Sequence, residues 1–215
     1  MSIKSKIGAV VKLLANKFWD IKLAGKGNTL NIELPAMYNW STKIQSIDYL
    51  YLIESLKYFQ LLKNDKVLDL GSGKGRVLLY CDYKYNTIEK KDLILYGAEI
   101  NEEAYTICKG ACRHKKVQID NINALENDYI TQHKFNKILL FNPFNENTFS
   151  LFLQYMQYNI SYQCTFLYVN ISQDQIKILQ NTNTDFKLLH IHKPLLGIWN
   201  KTNCIVYFNR NQDDK

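Results

Sequence analysis

Asp69, Gly71, Gly73 and Gly75, with Glu99 thirty residues beyond Asp69, are the residues here whose types and spacing bear most directly on chemistry. The run Val67-Leu68-Asp69-Leu70 closes on the turn Gly71-Ser72-Gly73-Lys74-Gly75-Arg76, and apolar Val77 to Tyr80 can open a helix. Such a strand-to-helix turn offers backbone N–H groups to a nucleotide-type ligand, and glycines let the backbone approach it closely. Glu99 closes the next apolar run, in Gly97-Ala98-Glu99-Ile100-Asn101. An acid there can accept both hydroxyls of a ribose diol. The plainer reading is a strand-end acid facing water, and the glycine turn upstream favours the ribose role. The glycine spacing is G-x-G-x-G, where the dinucleotide fingerprint is G-x-G-x-x-G.

A second constellation follows the apolar run Ile138-Leu139-Leu140-Phe141, in Asn142-Pro143-Phe144-Asn145. Asn-Pro is a common turn opening, but its place after a strand favours function, because open α/β sheets bind ligands beyond the carboxyl ends of their strands. Lys74 and Arg76 are cations at a helix start, where the macrodipole disfavours them. Either could compensate an anionic group of a ligand, or both could point to water. No Ser-His-Asp order, paired carboxylates or H-E-x-x-H motif is present, and His114, His133, His190 and His192 supply no evident general base. Cys112 and His114 lack converging groups, so no metal site is expected.

These residues need a scaffold that brings strand ends together. Strands are expected near 66–70, 93–99, 116–121, 137–141 and 164–170, and helices near 74–83, 101–112, 146–158 and 173–181. Asn101 should cap its helix, with Glu102 and Glu103 in the first turn and Cys108 packed as a hydrophobe. The alternation implies a parallel sheet with helices on both faces. Phe186 to His192 and Cys204 to Phe208 should add an antiparallel edge pair. Before the sheet, Ser41 can cap a helix over about 42–61, and residues 24–41 read as a loop.

Asp69 to Arg76 reads D-x-G-S-G-K-G-R, and Asn142 to Phe144 reads N-P-F. Together these resemble small bacterial class I methyltransferases that depend on S-adenosylmethionine (SAM). The resemblance covers residues 66–170. It implies an α/β, Rossmann-like class I methyltransferase fold, with a mostly parallel seven-stranded sheet and one reversed strand. It implies SAM as cofactor, held by Asp69, Gly71, Ser72, Gly73, Lys74, Glu99, Ile100, Asn123, Ala124 and Asn142. Asn123-Ala124 is similar to an Asp-Ala pair that contacts adenine, and an amide oxygen can accept from the adenine amine; Asn123 as a plain loop residue fits equally. Tyr38-Asn39-Trp40-Ser41 looks like a diverged Tyr-x-Pro-Thr element, which implies that Tyr38 closes the SAM site. The Asn-Pro-Phe stretch is similar to the amino-group methyltransferase motif, with one proline in place of two. It implies Asn142 and the Pro143 carbonyl as catalytic acceptors for an amine, with Phe144 packing beside it. Tyr168-Val169-Asn170 also fits the group, with Asn170 facing the cleft.

With 215 residues, one α/β domain over 63–215 and a helical lid over 1–62 are expected. Five cysteines without a C-x-x-C pair, and no secretory leader, point to a reducing cytoplasm. Of the net charge of +7, residues 1–30 hold +5, six lysines against Asp20 alone, and the rest of the chain holds +2. That distribution disfavours a nucleic-acid partner, whose enzymes spread basic residues around the cleft. Ile3, Ile7, Val10, Val11, Leu14 and Phe18 recur at helical spacing among lysines, so 3–18 reads as a basic amphipathic helix. Its apolar face is expected to pack on the domain, the alternative being an anionic membrane surface or partner. The acceptor is an undefined nitrogen of a small molecule, glycoconjugate precursor or protein. The competing functions are an NAD-dependent oxidoreductase and a non-catalytic SAM-binding module at a membrane.

Overall fold

A computed structural model describes residues 3–25, 34, 44, 46–126, 128–182, 185–192 and 202–208. Tyr38, Ser41 and most of the expected loop over 24–41 lie outside the described residues. Helices α1 (Ile3–Ala24) and α2 (Tyr49–Lys57) lead into β1 (Lys66–Leu70) and α3 (Arg76–Cys81), which widens into a π-helical stretch over Asp82–Ile88. There follow β2 (Ile94–Glu99), α4 (Glu102–Cys112), β3 (Val117–Asn121), α5 (Tyr129–His133), β4 (Lys137–Phe141) and α6 (Glu146–Asn159). The chain then runs through β5 (Cys164–Ile171), α7 (Gln173–Asn181), β6 (Phe186–His192) and β7 (Thr202–Phe208).

The sheet has seven strands in the order β3-β2-β1-β4-β5-β7-β6. Strands β1 to β5 are parallel, and β7 runs antiparallel to both β5 and β6. The chain winds outward from β1 to β3, then crosses back to lay β4 on the other side of β1. That reversal opens a crevice above the carboxyl ends of β1 and β4.

Alternation along the strands splits the core in two. On one face Leu68, Leu70, Ile138 and Leu140 pack with Phe149, Phe152 and Met156 of α6 and Ile176 of α7. On the other, Val67, Leu95 and Leu139 pack with Leu52 and Leu56 of α2, Val77 and Leu79 of α3, and Cys108 and Cys112 of α4. Helix α2 therefore belongs to the sheet's own core, and packing does not change at residue 62. Caps match the sequence where they are local. The Asn101 side chain accepts from Ala104 N–H at 2.9 Å, and Asn145 does the same for Thr148 at 2.9 Å.

Helix α2 begins at Tyr49, later than expected, because its start is set by α1. The Asn16 side chain accepts from Tyr49 N–H at 2.9 Å and donates to Asp48 at 2.6 Å, while Lys12 lies 3.3 Å from the Asp48 carboxylate. Helix α1 thus docks through Asn16, Asp20 and Lys12 together with Leu23 and Trp19, which join the core of α2 and α3. The expectation that its apolar face packs on the domain is overturned, since Val10, Leu14 and Phe18 are exposed. Periodicity marks an apolar stripe but not which surface the stripe meets.

The deepest tie between α1 and the sheet is an ion pair. Arg76 donates from Nε and Nη2 to the two Asp20 oxygens at 2.9 and 2.5 Å, and from Nη1 to the Ile47 carbonyl at 2.9 Å. Both side chains are almost wholly buried, at 3% and 1% exposure. Arg76 is therefore neither turned to water nor aimed at a ligand, and its cation at a helix start is explained by Asp20. Removing one member of such a pair leaves an uncompensated buried charge. Asp20→Ala should lower unfolding free energy by about 3–5 kcal/mol, read from urea denaturation; a loss within experimental error would show that the pair contributes little.

Candidate active site

The glycine turn after β1 sits at the crevice. Gly71, Gly73 and Gly75 have φ of 76°, 52° and 90°, which side-chain-bearing residues rarely adopt. A Cβ on Gly71 would stand 3.0 Å from Cβ of Pro143, so the glycine lets the β1 turn and the Asn-Pro-Phe turn touch. Gly97 in β2 has a related purpose: a Cβ there would fall 2.6 Å from Leu78 Cδ1 and 3.0 Å from the Ser72 hydroxyl oxygen. Ser72 is accordingly buried against β2, and Lys74 is buried too, not turned to water.

Glu99 ties the pieces together. One carboxylate oxygen accepts from Gly73 N–H at 2.7 Å and the other from Asn101 N–H at 2.8 Å. Each oxygen keeps acceptor capacity for a further donor. Burial raises the Glu99 pKa, and the N–H groups of Asn101, Gly73 and Ile100 pull it back in part. Asn121, which sequence reasoning passed over, donates to the Glu99 carbonyl at 2.8 Å and the Ile100 carbonyl at 3.2 Å, fixing the end of β2. Two residues before the turn, Asp69 is 1% exposed, and neither carboxylate oxygen has a hydrogen-bond partner among the described residues. Burial pushes its carboxyl well above the ordinary range, and the Glu99 charge adds to the shift.

The other predicted residues divide. The Asn123 oxygen accepts from Leu125 N–H at 3.2 Å and its amide donates to Glu126 at 2.8 Å, an Asx-type turn that engages the group expected to meet adenine. Ala124 is buried beside it in the core. Asn142 ends β4 with φ of 56°, and Asn170 near the end of β5 has φ of 65° at a register shift. Two left-handed asparagines at adjacent strand ends are the kind of local strain that clusters at functional sites. Phe144 departs from expectation. It is 8% exposed with its ring 5.6 Å from that of Phe152, so the ring is core and does not line the cleft. Its carbonyl accepts from the Tyr168 hydroxyl at 3.2 Å and from Gln175 Nε2 at 3.1 Å. Gln175 was visible only as the last residue of a Ser172-x-x-Gln175 capping box, which is present. His133 stacks on Phe135 and His190 on Tyr58, away from the crevice.

The site therefore joins a glycine turn with no room for a Cβ, a strand-end carboxylate, and a buried acid without a hydrogen-bond partner among the described residues. These features fit a nucleoside-bearing ligand at the β1–β4 crevice. Residues 51–195 match the model of the family described as N-6 DNA methylase. The chain belongs to this family. Among solved structures, a methyltransferase from Pyrococcus furiosus superposes with TM-score 0.62 at 12% identity, over 93% of this chain and 97% of that one. A variant of MtNAS in complex with SAM gives TM-score 0.57 at 12% identity, over 96% and 76%. A putative class I SAM-dependent methyltransferase from Listeria monocytogenes gives 0.55 at 12%, over 78% and 59%. Against MtNAS with MTA and tNA the chain spans 60% of that protein's length. No curated protein sequence matches the chain. Membership of the N-6 DNA methylase family, with a fold shared with solved methyltransferases, counts against the oxidoreductase reading.

Two pH effects follow. The folded protein holds the Asp69 proton more tightly than the unfolded chain, so this group's contribution to stability falls as pH rises above the ordinary value of 3.8. Asp69→Asn should raise Tm at neutral pH while changing it little near pH ~4; thermal melts that stay parallel across that range would refute the assignment. For Glu99 the sign applies to binding, because the hydroxyls of a ribose held there would donate to the ionised form. SAM affinity should weaken on acidification at a pH above the ordinary Glu value of 4.5. Calorimetric titration of Glu99→Gln should show weaker binding without that pH dependence.

Proposed function

We propose that this family member transfers the SAM methyl group to an amine nitrogen held at the end of β4 by Asn142 and the Pro143 carbonyl. The observation carrying the proposal is the contact of Pro143 with the glycine turn. It puts the acceptor turn beside the cofactor turn, as methyl transfer requires donor and acceptor in one orientation. When bound, SAM supplies an electrophilic methyl group on a sulfonium. The Gly71–Gly73 backbone and the Glu99 carboxylate would hold it, with Ile100 and Ala124 along the nucleoside, and Tyr38 as a further contact. Asn142 and the Pro143 carbonyl accept N–H hydrogen bonds, which orients the nitrogen lone pair toward the methyl group. The hydrogen bonds from Tyr168 and Gln175 to the Phe144 carbonyl keep that turn from shifting.

The family's name refers to N-6 in DNA, which is an amine on an aromatic ring, and this supports nitrogen as the target atom. Residues 31–215 carry only +2, which supports an acceptor other than a long nucleic acid: a small molecule, a glycoconjugate precursor or a protein. Release of S-adenosylhomocysteine, measured over a panel of amino sugars, lysine-rich protein and adenine-containing DNA, tests this. Asn142→Gly keeps the left-handed backbone accessible and removes the amide. It should lower kcat by about 100-fold while leaving SAM affinity nearly unchanged. Undiminished turnover in that variant would reject the role, and turnover on DNA alone would reject the acceptor class.

A further inference from the structure

The face of α1 turned away from the domain is built for a surface. Val10, Leu14 and Phe18 are 55%, 61% and 58% exposed, and Val11 and Ile21 are exposed beside them. The residues that dock α1, Asn16, Asp20 and Leu23, are buried. At about 100° per residue these two sets lie on opposite sides of the helix. This helix of 22 residues therefore docks by a mixed inner side, Asn16 and Asp20 beside Leu23 and Trp19, and still offers a second, apolar stripe outward, where an ordinary surface helix is polar.

Charge decides the occupant. Lys17 and Lys22 are exposed and border the apolar stripe on either side, the Lys22 ammonium resting 4.5 Å from the Tyr83 ring centroid, from which its flexible side chain can swing to a lipid phosphate. Six lysines fall within residues 1–30, which hold +5 of the chain's +7. A second copy seated on this stripe would bring lysine rows against lysine rows. An anionic bilayer meets both features at once: apolar side chains enter the acyl boundary while flanking lysines reach the lipid phosphates. No helix among the described residues is long and apolar enough to cross a membrane, so α1 would lie in the interface plane.

We infer that α1 is a peripheral anchor that holds this methyltransferase on an anionic lipid surface through Val10, Leu14, Phe18 and Ile21, with Lys17 and Lys22 at its edges. The anchor is rigidly continuous with the catalytic domain, since Asp20 and Asn16 on its inner side fix it to α3 and to the start of α2. It is independent of which acceptor the site takes.

Vesicle flotation of the full chain tests the anchor. Phosphatidylcholine vesicles with and without roughly one third phosphatidylglycerol are compared at low and high salt. Binding should be at least several-fold greater with the anionic lipid and fall at high salt. Leu14→Glu with Phe18→Glu should abolish it while SAM affinity, which reports the fold, stays unchanged. Lys17→Glu should weaken it and leave the residual binding less sensitive to salt. Equal binding to both vesicle types, or retained flotation of the double variant, would overturn the proposal. So would sedimentation showing a wild-type dimer that the double variant converts to monomer, which would make a second copy the occupant.

Discussion

The glycine turn is held by one carboxylate. Glu99 receives an N–H from the turn after β1 and another from the cap of α4, so a single side chain spans two strand ends. A buried carboxylate is tolerated because both oxygens are satisfied by backbone donors that cannot move away. The rest of the crevice is arranged around that tie. The turn stays low enough to meet Pro143, Asn121 locks the carbonyls on either side of the carboxylate, and Gly97 leaves room for the turn to settle on β2.

Around this fixed point the site is asymmetric. The glycine-turn side is made of backbone and one acid, with little that can rearrange. The β4 side rests on Asn142 in a left-handed conformation and on the Phe144 carbonyl, which a buried hydroxyl and a buried amide restrain. Under the proposed reaction, specificity would come from position, since a sulfonium donor already carries the electrophile.

Much of this was legible in the chain. The five parallel strands fell within a residue or so of their expected limits, because the inner ones are short apolar runs closed by turn residues and buried on both faces, while the edge strand β3 alternates Val117 and Ile119 with polar residues. The glycine turn was legible because a turn with no room for a Cβ constrains residue type, and Glu99 because it closes the neighbouring strand and meets that turn. What could not be read were relations between distant elements. Ser41 looked like a cap, yet the first N–H of α2 is capped by Asn16, 33 residues away. Arg76 looked like a ligand contact, yet its partner is Asp20, 56 residues away. The Phe144 ring was expected in the cleft, but the geometry after Pro143 turns it into the core and leaves only its carbonyl near the site. Local pattern gives periodicity and caps; it does not tell which polar side of α1 faces which helix.

The Asp20–Arg76 pair reaches across the edge of the family match. That match begins at residue 51, inside α2, while the guanidinium at the start of α3 is neutralised from residue 20. A segment cut at the start of the match would keep the arginine and lose its counter-charge, leaving a buried cation beside the glycine turn. The leading helix is therefore part of what lets the glycine turn fold, although it lies outside the matched residues.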